Sequence, residues 1–359
     1  MKKRIPIISP TISTDEIKFV TKVLQSKFIT EGKITNKFEK LIAKYVHSKY
    51  AIATSSGTSA LHSCFECLNV ENKEVLVSDF TFPATVNAII LARGKPVLVD
   101  VDRETMNVNT AIMEQSISEQ TCFLAPVSLF GNPLEKSFYK FRKNGFPIIE
   151  DAATNLGSKI DSKYVGTLAD VSCFSFHPRK IITTGEGGMI TTSNKKLADK
   201  LHSYKTFGKT KNQFLDDGTN YKMSDVLSAI GVAQFKKLEK IISKRIKLAK
   251  IYDELISKID YLEPQKITKN ARHTFQSYTC TFTKPHLRDK IRSLLAKNNI
   301  ETQIGTYALH CLPYFKTCQK AGELKNSEFL YKNTITLPLH ENLTFDDQKF
   351  ICKLIQNIN

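Results

Sequence analysis

Between Tyr50 and Ile149 the chain alternates short, almost uninterrupted apolar runs with longer stretches of helical character. The runs are Tyr50 to Ala53, Val75 to Val77, Val97 to Val101, Cys122 to Val127 and Phe146 to Ile149, and helices are expected from about Ala60, Pro83, Asn109 and Leu134. A strand that is apolar on both faces must be covered on both, and strands separated by helices return in the same direction. The pattern predicts an α/β fold with a mostly parallel central sheet, whose ligand site lies among the loops at the carboxyl ends of the strands. Two amphipathic helices precede it. The first pairs Ser13 with Glu16 at capping-box spacing and sets Ile17, Val20 and Leu24 on one face; the second carries Phe38, Leu41, Ile42 and Tyr45.

The stretch VSCFSFHPRKIITTGEGGMITT, from Val171 to Thr192, is a different unit. A β-prone run ends at His177-Pro178, because proline lacks a backbone donor and restricts its predecessor. Lys180 follows, then Thr183-Thr184 and a cluster containing Gly185, Gly187 and Gly188, whose glycines let backbone pass close to a bound group. A short run from Met189 to Thr192 closes the unit. A lysine on a loop is ordinarily a solvated charge. Held between two strands beside small and hydroxylated residues, Lys180 is also a candidate nucleophile, because burial would lower its pKa. Upstream, FPIIEDAATNLG ends an apolar run in Glu150-Asp151, and a carboxylate at the carboxyl end of a buried strand is well placed for a ligand. Pyridoxal phosphate chemistry requires a Schiff-base lysine and an acid that keeps the ring nitrogen protonated. Lys180 and Asp151 fit those roles.

The turn from Thr54 to Ser59, TSSGTS, is a third part. Free amides and the positive end of the following helix favour a phosphate there; taken alone the turn reads better as a helix cap of serines and threonines, but together with Lys180 and Asp151 it reads as the phosphate cradle.

In their order and spacing, FITEGKITNKFEK, SSGTSAL, VSDFTFPATVNAI, VSLFGNPL, EDAATNLGSKI, FSFHPRKIITTGEGG, TNYKMSDVLSAIG and LPLHENLT resemble the DegT/DnrJ/StrS family of nucleotide-sugar aminotransferases over nearly the whole chain. The resemblance implies the aspartate-aminotransferase-like fold (fold type I) and the cofactor pyridoxal 5'-phosphate (PLP), cycling through pyridoxamine 5'-phosphate (PMP). It makes Lys180 the lysine that holds the cofactor and Asp151 the ring-nitrogen acid. Gly57, Thr58 and Ser175 would meet the phosphate, and Phe82 would stack on the ring unless it is a core phenylalanine. Thr154 stands where the family carries glutamine or histidine, and Ser128 where it often has histidine; a shorter side chain cannot make the same contact, which then falls to Asn155 or a water. Asn220 is implied to reach the cofactor phosphate of a neighbouring subunit, placing the active sites at a homodimer interface, though asparagine is also a common turn residue. Substrate contacts are expected from Thr30, Glu31, His177, Tyr307 and His310, the last two also suiting structural roles.

The implied reaction carries an amino group from an amino acid, which the family suggests is L-glutamate, to a nucleotide-diphosphate keto-sugar, most often a 4-keto-6-deoxy hexose. Its products feed polysaccharides and other glycans. A dehydratase branch of the family has histidine where this chain has Lys180, so the lysine argues for transamination. The alternatives are such a dehydratase and a non-catalytic nucleic-acid-binding regulator on the same fold.

The 359 residues suffice for a large PLP-binding domain with its N-terminal segment, 1–241, and a smaller C-terminal α+β domain, 242–359. A net charge of +17 is spread over pairs such as Lys195-Lys196 and Lys236-Lys237, which reads as a solvated surface with some steering of a diphosphate and not as a nucleic-acid site. Eight irregularly spaced cysteines read as reduced thiols; Cys64 and Cys67 are expected to pack inside a helix, and no metal site is expected. No apolar run is long enough to span a bilayer, and Pro6 and Pro10 interrupt the start where a signal peptide would be apolar. A cytoplasmic enzyme without a membrane or nucleic-acid partner is expected.

Overall fold

The computed structural model describes residues 3–284 and 286–358. Met1, Lys2 and Asn359, at the outer ends of the two expected domain ranges, and Pro285 lie outside the described residues. The central sheet contains β1 (Tyr50–Thr54), β2 (Glu74–Ser78), β3 (Lys95–Val99), β4 (Thr121–Ala125), β5 (Ile149–Asp151), β6 (Val171–Ser175) and β7 (Gly188–Thr192). Their spatial order is β1-β7-β6-β5-β4-β2-β3, with β4 and β5 joined by the parallel bridges Leu124–Ile148 and Val127–Asp151. All run parallel except β7, which opposes both of its neighbours. The expected mostly parallel α/β sheet is present.

Alternation along each strand sends side chains into separate cores on the two faces. Val75, Val77, Leu98, Phe123, Ile149 and Ile190 join one cluster, whereas Leu76, Val97, Val99, Leu124 and Ile148 join a second and Ala53, Phe174 and Met189 a third. Helices α1 (Thr14–Ser26) and α2 (Lys33–Val46) precede the sheet. After them, α3 (Gly57–Cys67), α4 (Ala84–Leu91) and α5 (Thr110–Ser116) connect its strands, and α6 (Lys195–Tyr204) follows β7. Cys64 and Cys67 are buried free thiols of α3, packed as expected.

Several boundaries differ from the sequence-based expectation. The helix expected near Ala60 begins at Gly57, because Ser56 and Ser59 cap each other reciprocally and draw Gly57 and Thr58 into the first turn. The helix expected near Leu134 is a 3-10 helix, Lys136–Arg142, which buries Phe138 and Phe141 three residues apart. The strand expected over Phe146–Ile149 is Ile149–Asp151, because Pro147 cannot donate to a ladder and the pairing with β6 runs to Asp151 opposite Cys173. Both acids therefore belong to the strand itself.

After α7 (Asp225–Phe235), the long α8 (Leu238–Ile256) gives Leu238, Ile241 and Ile242 to a core of the central sheet and Leu248, Ala249, Tyr252 and Ile256 to another. The latter core lies under an antiparallel sheet of β8 (Leu262–Pro264), β9 (Tyr278–Phe282), β10 (Gln303–Ile304) and β11 (Thr334–Leu337), in the order β8-β9-β11-β10. Helices α9 (Leu287–Lys297), α10 (Lys325–Asn333) and α11 (Phe345–Gln356) complete this part, and Ile5 from the amino end packs into its core. The apolar stripe of α1 behaves differently. Glu16 and Val23 are buried, but Ile17 is 62% and Leu24 54% exposed.

Candidate active site

The register of three strands sets one row of residues at one edge of the sheet. Thr54 at the end of β1 pairs with Gly188 at the start of β7, which pairs with Ser175 at the end of β6. Backbone is crowded there: a Cβ on Gly188 would lie 2.2 Å from the Ser56 carbonyl oxygen, so only glycine fits. A Cβ on Gly57 would lie 2.9 Å from Cβ and 3.3 Å from Oγ of Ser175. The amino end of α3 thus sits directly against the Ser175 hydroxyl. Its capping box uses the amides of Ser56 and Ser59, while those of Gly57 and Thr58 have no intrahelical acceptor and carry the positive end of the helix.

Asp151, 5% exposed, ends β5 two strands from β7. Its Oδ2 accepts from Thr85 Oγ1 at 2.6 Å and its Oδ1 from the Ala153 amide at 3.0 Å. Burial raises this carboxyl group, against the opposing pull of Thr85, Ala153 and the Lys180 ammonium. Lys180 lies in a turn closed by its own amide on the His177 carbonyl at 2.8 Å. The Thr183 hydroxyl, bonded to the Phe176 carbonyl at 2.8 Å, secures the next residues. Desolvation draws the Lys180 ammonium down to about 8; Asp151 pulls it up, and Arg179 adds to the lowering.

Glu150, fully buried beside Asp151, accepts from the hydroxyls of Ser128 at 2.9 Å, Tyr139 at 3.2 Å and Ser172 at 3.4 Å. Burial pushes it up to about 7 despite those donors. Thr154 Oγ1 and Asn155 Nδ2 both donate to the Ser128 carbonyl, at 2.9 and 2.6 Å, and Asn155 Oδ1 is buried without a partner among the described residues. Position 154 is thus turned toward the chain's own backbone, while Asn155 keeps an unused acceptor.

The remaining expected site residues lie further out. Phe82 is 63% exposed, with its ring 6.4 Å from that of Tyr307, whose strand pairs with Thr81. His310 is fastened to the buried Asp79 by its amide at 2.9 Å and its Nδ1 at 2.7 Å. His177 is exposed. Glu31 accepts at 2.9 Å from the buried Lys205, which also bonds the Ala53 carbonyl at 2.9 Å and Glu39 at 3.3 Å. Thr30 is exposed, and its carbonyl accepts from the Asp225 amide. Asn220 is exposed and bridges to Thr206, next to Tyr221, whose carbonyl takes the Ser55 amide at 2.9 Å. Sequence reasoning passed over Thr85, although it lies in FTFPAT; Pro83 just ahead of α4 puts residue 85 in the first turn, close to the strand ends. It also passed over the hydroxyl cluster around Glu150, which strands far apart in sequence assemble.

These groups fit pyridoxal phosphate: an amine, a buried carboxylate, and the amides of Gly57 and Thr58 at the amino end of α3, held so close to the Ser175 hydroxyl that a Cβ at residue 57 would crowd it. Among the described residues, no group of three or more His, Cys, Asp or Glu could hold a metal ion, and no helix is long and apolar enough to cross a membrane.

The sequence model of the DegT/DnrJ/EryC1/StrS aminotransferase family matches residues 10–356. The chain is 34% identical to the GDP-perosamine synthase of Escherichia coli O157:H7 over 360 residues, 98% of each protein. It is 32% identical to the UDP-4-amino-4,6-dideoxy-N-acetyl-beta-L-altrosamine transaminase of Campylobacter jejuni over 358 residues, 95% of this chain and 93% of that one. Among solved structures, a putative sugar aminotransferase of Streptococcus pneumoniae, Spr1654, in its PMP form, superposes with a TM-score of 0.93 at 25% identity, covering 99% of this chain and 97% of that one.

Proposed function

This chain belongs to the DegT/DnrJ/EryC1/StrS aminotransferase family, and on that premise we propose that it transfers the amino group of L-glutamate to a nucleotide-linked 4-keto-6-deoxy hexose. It is a PLP-dependent nucleotide-sugar aminotransferase of amino-sugar and polysaccharide biosynthesis. The observation that supports this reading best is Lys180, desolvated to a titration point of about 8 within electrostatic reach of Asp151.

Gly57 and Thr58 through their amides, and Ser175 through its hydroxyl, would hold the phosphate; Asp151 would keep the ring nitrogen protonated; Phe82 would cover the ring; and Thr154 with Asn155 would border it. When bound, the cofactor supplies an electron-withdrawing ring that stabilises negative charge on the donor's α-carbon. Lys180 Nζ takes the proton from that carbon, at a pH where a substantial fraction of it is neutral. Thr85 holds the Asp151 carboxylate still while this happens. The keto-sugar is aminated at its carbonyl carbon by the same proton path in reverse, with Tyr307, His310, His177, Thr30 and Glu31 as the residues toward the sugar nucleotide.

The working form in this reading is a homodimer. Ile17, Leu24, Phe28, Ile29 and Phe207 are about half exposed or more, an apolar surface that suits a second copy of the chain. Asn220, exposed near the same segments, would reach the partner's phosphate recess. The cysteines, free in the structure, suit the reducing cytoplasm. The test is single turnover: PLP-loaded protein should lose its visible absorbance on addition of L-glutamate, release the 2-oxo acid, and then regain the band while aminating one of a panel of nucleotide-linked keto-sugars. Keto-deoxy products formed without consumption of glutamate would overturn the reading in favour of a dehydratase.

A further inference from the structure

The chain has nine arginines. Seven form ion pairs with carboxylates, and Arg103 lies over the Phe329 ring. Among the described residues Arg179 has neither kind of partner. It is not a fully solvated surface arginine. It is half-buried, and burial draws its guanidinium down, with only the Tyr307 phenol acting in the other direction. A half-buried cation without a counter-charge is unfavourable, and the deficit is removed when an anion arrives from outside.

Its backbone is held from both sides. The Arg179 amide donates to His177 Nδ1 at 3.2 Å, and its carbonyl accepts from Gln276 Nε2 at 2.6 Å. The Gln276 carbonyl in turn accepts from Arg245 Nη1 at 3.0 Å. Residue 179 is therefore clamped between the Lys180 turn and the strand region leading into β9. It lines a small cavity of mixed character with Ile7, Gln276, Ser277, Thr336, Leu337 and Leu339, and its guanidinium acts electrostatically on the Lys180 ammonium.

We propose that Arg179 receives the α-carboxylate of the amino-acid donor. The proposal rests on the aminotransferase reading above. The α-carboxylate is bonded directly to the carbon that gives its proton to Lys180, so the residue adjoining Lys180 is where that carboxylate needs a partner. The diphosphate of a sugar nucleotide sits at least a sugar ring away from its reacting carbon. A planar guanidinium also matches the two oxygens of a carboxylate as a fork. Glutarate, which has the carboxylates but no amine, and a nucleoside diphosphate separate the two oxyanion sources.

The experiment titrates PLP-loaded wild type, R179Q and R179K with glutarate and with UDP or GDP by calorimetry, and measures the concentration dependence of the half-reaction with L-glutamate. R179Q should weaken glutarate and raise half-saturation for glutamate by about 10- to 100-fold, the range of one charge-assisted bidentate contact, with nucleotide affinity unchanged. R179K, keeping charge but losing the fork, should fall between. The visible cofactor band reports whether each variant is folded and loaded, and R179K serves where R179Q does not fold. Weaker nucleotide binding with unchanged glutarate binding would reassign Arg179 to the diphosphate and overturn the proposal; unchanged affinity for both would make the residue structural and also overturn it. Glutarate binding needs no turnover, so it decides the role of Arg179 even if no keto-sugar is aminated, the outcome that would count against the enzyme reading instead.

Discussion

The floor of the site and its rim are built on opposite terms. On the floor, Asp151, Glu150 and Ser175 sit at strand ends, and both acids are buried with hydroxyl or amide donors supplied from within the chain. At the rim, Phe28, Ile29, Phe207 and Phe82 expose about half or more of their surface, and Asn220 is exposed with them. A region whose groups are satisfied internally holds its geometry before any ligand arrives. One that leaves apolar surface unpaired is finished by something outside the chain.

That contrast is most sharply tested at the floor. Lys180→Ala should reduce turnover at least about 10³-fold by removing the proton carrier, while the protein still elutes as a dimer on size exclusion. The rim should fail in the opposite way. Ile17→Asp with Leu24→Asp should shift sedimentation toward monomer and lower turnover by roughly 10- to 100-fold, since in the proposed homodimer the sites share Asn220 across the interface and would lose one wall; a monomer with full activity would collapse the distinction. Gly57→Ala places a Cβ 2.9 Å from that of Ser175, so PLP affinity should fall about tenfold, read by fluorescence titration, with about 1–3 kcal/mol lost from stability in urea.

The smallest effect concerns Glu150, raised from its ordinary 4.5 to about 7 by burial. Keeping its proton contributes stability that is full below about 4.5 and is lost as the pH rises through 7, on the order of 3 kcal/mol in all. Glu150→Gln should flatten that part of the urea-unfolding profile. Lys180, lowered from 10.5 to about 8, has the opposite sign in the cofactor-free protein: its contribution is present above 10.5 and is lost as the pH falls through 8. A pH profile of unfolding therefore distinguishes the two groups.

Much of the floor was legible because it is made of local signals. The apolar runs located β1 to β7 to within a few residues, and Ser13 with Glu16 forms the expected cap. Where local signals misled, a specific competing contact prevailed: the Ser56–Ser59 cap drew α3 forward, and Pro147 delayed β5. Thr85 and the Glu150 hydroxyl cluster could not be read along the chain, because their members come together only when β5, β6 and the 3-10 helix pack.

Periodicity and turn chemistry act over a few residues, so the amino-acid order alone settled the alternation of strands and helices, the mostly parallel sheet, which aspartate ends a strand and which lysine lies in the loop between two strands. The desolvation of Lys180, the absence of a counter-charge for Arg179 among the described residues and the bare apolar face of α1 are properties of surroundings assembled from distant segments. Burial and electrostatic environment depend on the whole packed molecule, and only the tertiary structure decided them.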